Sequence, residues 1–374
     1  MTKSAVAVDC EFTLALNNRT GKFFFCKDMI EASRDLIAKC YYWRFPFAKL
    51  PVGNLARILG RLARIEIEAR VHFSSSHRFL GAIAHARPMV FTDPRECILY
   101  QLKPYDVVLC HDMGPLTHPD LYGSGVEQLY AIAFERIKAA KPLMLFVSEA
   151  TRGDFVKLCG SDFPLMEIVH PPIRSGMEDG AERALQNIPS KFFLTVGSIG
   201  ARKNQLRAID AFKASGLALR GYGYIICGGP EPGAETVLQL ARDTAGVVVP
   251  GYVADQELRW LYRNAEGFVL PSLLEGFGLP AGEAINYGLM PLLSRGGALE
   301  EVAGDGAIYV DPLNVTEICE GMKSLASLST EQRSIRVSQL RQNIKRFTLQ
   351  HAVNTWRSAL SLAAVSAVAD INQH

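Results

Sequence analysis

Residues 270–284 read Leu270-Pro-Ser-Leu-Leu-Glu275-Gly-Phe-Gly278-Leu-Pro280-Ala-Gly-Glu283-Ala284. The apolar run Gly267–Leu270 feeds into this stretch as a buried strand would. Gly276 and Gly278 permit dihedrals closed to other residues and let a ligand approach the backbone. Pro280 suits the first turn of a helix, so the spacing predicts strand, glycine loop, helix. Glu275 then lies on the loop and Glu283 early in the helix, two carboxylates straddling a helix start. Loop amides and the helix dipole favour an anion there, while carboxylates accept hydrogen bonds from hydroxyls. A ligand carrying both phosphates and hydroxyls, such as a sugar nucleotide, matches that chemistry. An ordinary helix with an acidic first turn would give the same carboxylates without a ligand.

Upstream, Phe192–Gly197 is a second buried-strand run ending in glycine. It leads through Ser198-Ile-Gly-Ala-Arg202-Lys203-Asn204 into a segment with helical periodicity. A strand, a small-residue loop, two adjacent cations and a helix start make a second anion site. A solvated Arg-Lys pair on a loop is the alternative.

The same alternation runs along the whole chain. Strands are expected at Ser4–Asp9, Pro88–Phe91, Asp106–Cys110, Leu143–Val147, Glu167–Val169, Phe192–Val196, Tyr224–Cys227, Val247–Val249, Gly267–Leu270, Pro291–Ser294 and Ala307–Val310. Helix-period segments such as Val126–Ala140 and Asn204–Ala214 lie between them. That order predicts an α/β fold with parallel sheets. Eleven strands fit two sheets better than one, with the break in Pro171–Lys191, which carries prolines, Gly176, Gly180 and mixed charge. The chain has 374 residues, 40 Lys+Arg against 38 Asp+Glu, and 48% hydrophobic residues. Those values exclude disorder as the main state and disfavour a general polyanion binder. The eight cysteines contain no C-x-x-C and no zinc spacing, which predicts a reducing, cytoplasmic setting without disulfides. The opening MTKSAVAVDCEF is charged too early for a signal peptide, and no apolar run is long enough to span a bilayer.

Five pieces in order carry a family resemblance: VGSIGARKN at Val196–Asn204, CGGP at Cys227–Pro230, GYV at Gly251–Val253, LPSLLEGFGLPAGEA at Leu270–Ala284 and LEEVAGDGAIYVDP at Leu299–Pro312. Together they resemble the donor-binding domain of retaining glycosyltransferases of family GT4. The resemblance implies the GT-B fold, two Rossmann-like domains with parallel sheets facing across a cleft. It places an acceptor-side domain at 1–175, a donor domain at 176–352, and a C-terminal helix at 353–374 crossing back to the first. It implies that Arg202 and Lys203 bind the donor diphosphate, Glu275 the sugar hydroxyls and Glu283 the ribose. The backbone of Phe277, Gly278 and Leu279 would meet the phosphates or sugar, and that of Val253 the base. The chain departs from the pattern in two places. Ser198 stands where many relatives have arginine, so Arg202 must supply that charge, and Gly288-Leu-Met-Pro291 shifts a proline by one place.

In the first half, Val107–Cys110 reads as a strand with His111-Asp112 at its carboxyl end, where ligands of open α/β sheets bind. A histidine there can equally be a structural hydrogen-bonder. HDMGP resembles the cleft histidine segment of GT4 enzymes, which implies His111 near the reacting centre and Asp112 as an acceptor contact. Asn18-Arg19-Thr20-Gly21 resembles the family's first glycine loop, with Gly21 near the donor. Ser148-Glu149-Ala-Thr151-Arg152 resembles another family piece and makes Arg152 an acceptor-side candidate, although Ser148 acting as a helix cap accounts for the segment by itself. Trp356 reads as packing in the returning helix.

The implied function is a retaining transfer of a sugar from a nucleotide diphosphate to a saccharide or lipid-linked acceptor, as in polysaccharide or lipopolysaccharide synthesis. The motif style is closest to mannosyltransferase-type members, which points to a GDP-sugar, with a UDP-sugar as the alternative. No D-x-D occurs, so cations and helix dipoles rather than a metal are expected at the leaving group, and no cofactor is expected. A non-catalytic nucleotide-sugar-binding subunit is the rival class; both glutamates and Arg202-Lys203 speak against it. A nicotinamide oxidoreductase and a P-loop enzyme are set aside for want of G-x-G-x-x-G and G-x-x-x-x-G-K-[ST].

The near-neutral total hides a division. Residues 39–78 hold eight Lys+Arg against two acids, a net of +6. Within them Arg57, Arg61 and Arg64 share one helical face, and the aromatic run Tyr41–Phe47 lies just upstream. A surface helix packing its apolar side on the core is one reading. A patch held at the inner face of an anionic membrane is the other.

Overall fold

The computed structural model describes residues 7–18, 20–72, 81–173, 179–231 and 233–371. The start of the expected Ser4–Asp9 strand, Arg19, Arg78 and Gly176 lie outside the described residues. The chain divides into two compact units, Met1–Pro172 with Thr348–His374, and Ile173–Phe347.

The first unit holds β1 (Val8–Glu11), β2 (Ile37–Tyr42), β3 (Phe45–Phe47), β4 (Met89–Phe91), β5 (Val107–Cys110), β6 (Leu143–Phe146) and β7 (Met166–Ile168). They form one sheet in the order β3-β2-β1-β4-β5-β6-β7. All pairs are parallel except β2–β3. β5 and β6 are fully buried apolar runs, as strands covered on both faces must be. The β2–β3 hairpin is not among the expected strands and makes one edge of the sheet antiparallel. Its two-residue turn, Trp43-Arg44, puts Trp43 at φ +64°, a conformation usually given to glycine or asparagine. Glu66 holds the turn, accepting from the Trp43 indole at 2.7 Å and the Arg44 guanidinium Nε at 2.8 Å. The final helix, Leu349–Ile371, packs on β1, β5 and β6. It buries Trp356 completely and fastens Arg357 to Asp35 through two 2.6 Å bonds.

The second unit holds β8 (Lys191–Val196), β9 (Tyr222–Cys227), β10 (Val247–Gly251), β11 (Gly267–Leu270), β12 (Pro291–Ser294) and β13 (Ile308–Val310). Every pair is parallel, and the order is β10-β9-β8-β11-β12-β13. Numbered from β8, that is 3-2-1-4-5-6, the doubly wound order. Its ligand crevice opens beyond the carboxyl ends of the two central strands, where the winding reverses. Here those strands are β8 and β11.

Candidate active site

Both motif loops of the second unit start at this switch point. β8 runs into Gly197–Asn204 and β11 into Pro271–Gly278. Asn204, at φ +58°, turns the first loop into the helix Gln205–Ser215. Its side-chain amide donates to the carbonyls of Pro271 at 2.9 Å and Pro312 at 2.6 Å. The Leu273 amide donates to the Arg202 carbonyl at 2.9 Å. These bonds tie the loops into one frame. Gly228 is obligatory beside it: a Cβ there would lie 1.8 Å from the Gly197 carbonyl oxygen.

The frame brings Arg202, Lys203 and Glu275 together. Lys203 Nζ donates to Glu275 Oε1 at 2.5 Å, and the Ser272 hydroxyl donates to the same oxygen at 2.8 Å. Arg202 reaches Glu275 Oε2 at 3.4 Å, the Leu274 carbonyl at 3.3 Å and Glu231 at 4.0 Å. Lys203 and Glu275 are buried, and Arg202 is partly exposed. Burial pushes the Glu275 carboxyl up, but the charges of Lys203 and Arg202, with bonds from Lys203 and Ser272, outweigh it and hold Glu275 below the ordinary range. Glu275 is therefore ionised and shared by two cations, with the Glu231 carboxylate 4.0 Å from Arg202. Adjacent cations on a loop that opens a helix can take an anion, and Arg202 is partly exposed to meet it. Ser272 and Glu231 escaped sequence reasoning, although both lie inside the quoted motif segments or one residue beyond them.

The other residues of this unit occupy the rim of the same sheet edge. Gly278, at φ +102°, starts the helix Leu279–Asn286, whose first turn has neither a side-chain cap nor an acid. A Cβ at Gly278 would lie 2.6 Å from Leu299 Cδ2. Phe277 is buried against Phe347, edge to face at 5.1 Å. Glu283 sits in the second helical turn and accepts from the Tyr262 hydroxyl at 3.1 Å, so the reading of an acidic first turn does not hold. Burial and the charge of Glu283 push the Tyr262 hydroxyl well up, keeping it a donor. Val253 is buried just past β10, beyond Gly251 at φ +78°.

In the first unit the switch point lies between β1 and β4, with β5 next to it. His111 follows β5, buried, with Nε2 2.8 Å from the Thr92 carbonyl and 3.8 Å from Cys26 Sγ. A carbonyl only accepts, so Nε2 carries the hydrogen and the neutral ring presents Nδ1 as its acceptor. Burial, with the charge of Lys22, pushes His111 down to about 4. Asp112 accepts from Lys22 Nζ at 3.0 Å, the Tyr122 hydroxyl at 3.1 Å and the Gly114 amide at 3.2 Å. Gly21 opens the helix Gly21–Glu31, which delivers Lys22 and Cys26 to His111-Asp112. Arg152 pairs with Glu149 at 2.6 Å on the helix that Ser148 caps. Beneath lies a buried carboxyl pair that the sequence does not signal. Glu11 accepts from the Thr13 amide at 3.0 Å, and Glu96 from the Leu14 amide at 2.7 Å. Burial pushes Glu11 up to about 7 and Glu96 further, with Glu96 holding the shared proton against Glu11.

Residues 181–346 match the family model described as "Glycosyl transferases group 1". The chain is 27% identical over 284 residues to the "O-antigen chain mannosyltransferase B" of Escherichia coli, covering 71% of this chain and 73% of that protein. It is 26% identical over 257 residues to the "Serotype-specific mannosyltransferase WbdA" of Escherichia coli, 64% of this chain and only 31% of that longer protein. The solved structure of Anabaena HepE in complex with UDP and glucose has the same fold, with a TM-score of 0.66 and 14% identity over 95% of this chain and 99% of that one.

Proposed function

Since this chain is a GT4-like glycosyltransferase of group 1 built on the GT-B fold, we propose that it moves mannose from a GDP-linked donor to a saccharide or lipid-linked acceptor of lipopolysaccharide synthesis, with retention. The observation that carries the reading is the Arg202–Lys203–Glu275 cluster at the switch point of the second sheet. The names of the two mannosyltransferase relatives support the sugar.

In this reading Lys203 and Arg202 neutralise the diphosphate as the bond from the sugar C1 to its phosphate oxygen breaks. The electron pair stays on that oxygen. The acceptor hydroxyl attacks C1 from the same face, and its proton passes to the departing phosphate. Charge developing on the leaving group is stabilised most by fixed cations and amides. The amides of Phe277, Gly278 and Leu279 add to this at a helix start. Glu275 and Glu283 accept from sugar and ribose hydroxyls, and the Val253 backbone meets the base. Gly21 lets backbone approach the donor, His111 accepts from a sugar hydroxyl through Nδ1, and Asp112 and Arg152 belong to the acceptor side. Because the protein supplies the cations, no divalent metal is needed, and turnover should be unchanged in EDTA.

A thermal-shift panel of GDP, UDP, ADP and dTDP tests the donor, since a ligand of the folded state raises stability by mass action. GDP should give the largest shift and GDP-mannose should be turned over. A larger shift with UDP would replace the donor assignment. No shift with any of the four would remove the site assignment itself.

A further inference from the structure

The Gly53–His72 helix turns four of its large aliphatic side chains outward. Its packed band is made of Ala56, Leu59, Gly60, Ala63 and Val71, with Glu66 and Arg70 bonded to each other. Leu55, Ile58, Leu62 and Ile65 are 46%, 57%, 41% and 52% exposed. The reading in which the apolar side packs on the core therefore holds for Leu59 and Val71 but not for these four. A helix advances about 100° per residue. That places these four aliphatics within an arc of about 80° and Arg57, Arg61 and Arg64 within about 60°, the two arcs side by side on the outward half. All three arginines are exposed, and no described carboxylate pairs with them. Arg44 and Arg70, by contrast, share Glu66.

We infer that this outward face is a docking surface for an anionic lipid bilayer, the four aliphatics entering the acyl boundary and the three arginines meeting phosphate headgroups. Charge complementarity selects this occupant. An apolar arc alone would suit another protein, but an apolar arc bordered by unpaired cations matches the amphipathic helices that lie in a bilayer interface. Among the described residues no helix is long and apolar enough to cross a membrane, so attachment would be peripheral. The inference does not depend on the donor assignment: vesicle binding and nucleotide binding can fail separately.

The test is co-sedimentation of the full chain with vesicles of phosphatidylcholine alone or with about one third phosphatidylglycerol. Each arginine near an anionic surface contributes roughly fivefold to partitioning. The triple variant R57Q/R61Q/R64Q should therefore bind the anionic vesicles about a hundredfold less, with its GDP-induced thermal shift intact. The variant I58S/I65S removes only outward side chains and should lose binding to a similar degree. Wild-type binding to anionic vesicles that exceeds binding to neutral ones, and weakens in high salt, supports the inference. Absence of vesicle binding overturns it, as does binding that survives both variants. A concentration-dependent dimer abolished by I58S/I65S, without vesicle binding, would assign the face to a second copy of the chain instead.

Discussion

Replacing Glu275 with glutamine removes the one carboxylate that Lys203 and Arg202 share. Losing one partner of a buried ion pair costs about 3–5 kcal/mol, and Glu275→Gln should fall at the upper end because buried Lys203 loses its carboxylate and Arg202 keeps only Glu231 at 4.0 Å. Lys203→Met should cost nearer 3 kcal/mol, since Arg202 remains 3.4 Å from Glu275. Together the two changes should cost less than their sum, as expected for groups in one cluster. Urea unfolding followed by fluorescence can read this in the second unit, where Trp260 stacks on Phe192 at 6.0 Å. The functional consequence has the opposite sign. A diphosphate charge roughly 8 Å from a carboxylate, at an effective dielectric near 20, is repelled by about 2 kcal/mol. Glu275→Gln should therefore bind GDP at least about tenfold more tightly while losing at least about tenfold in turnover. Lys203→Met should weaken GDP by a similar factor. Calorimetric titration of both folded variants checks the pair. Unchanged or weaker GDP binding by Glu275→Gln, or unchanged binding by Lys203→Met, would refute a diphosphate seat on these cations.

Three other perturbations have defined outcomes. His111 titrates at about 4 in the folded chain against an ordinary 6.5, so the unfolded state binds the extra proton between those values. Stability from this group is complete above pH 6.5 and falls by about 3 kcal/mol as pH drops towards 4; a His111→Gln chain should lack that component in pH-dependent unfolding. Gly228→Ala drives a Cβ to 1.8 Å from the Gly197 oxygen and should cost about 3 kcal/mol or more, whereas Gly229→Ala, with no atom within 4 Å, should cost under about 1 kcal/mol in the same melt. Gly278→Ala combines φ +102° with a 2.6 Å approach to Leu299; adding Leu299→Ala relieves the approach but leaves backbone strain of about 1–3 kcal/mol, so GDP affinity should recover only in part.

Much of the donor-side frame was legible because backbone demands and chemistry coincide there. Gly197, Gly228 and Gly278 stand where φ is +145°, +152° and +102°, and each lies within a piece that the sequence marks as a motif. All eleven expected strands have a counterpart, and those in the sheet centres, such as β5, β6 and β11, are continuous buried apolar runs visible without their neighbours. β2 and β3 were missed for the converse reason. Their turn lacks glycine or asparagine, and Trp43 is held at φ +64° by Glu66, a partner 23 residues away. The Glu11–Glu96 pair was equally hidden, since 85 positions separate two ordinary-looking acids that only the β1–β4 switch point brings into contact.

The Gly53–His72 helix shows where periodicity gives an amphipathic helix but the wrong inside. Large aliphatics at helical spacing normally mark the buried stripe. Here the close neighbour decides otherwise. The Asn17 side chain donates to the Gly60 carbonyl at 3.2 Å, and a Cβ on Gly60 would lie 2.4 Å from Asn17 Oδ1. An approach that close requires small residues at the contact, so Gly60, Ala56 and Ala63 take it, and Leu55, Ile58, Leu62 and Ile65 turn outward. Leaving four such side chains in water forfeits burial worth about 1.5–3 kcal/mol each when complete. Their outward position thus makes sense physically as a face that is covered only when the chain meets its surface, and the adjoining arginines specify that surface as anionic.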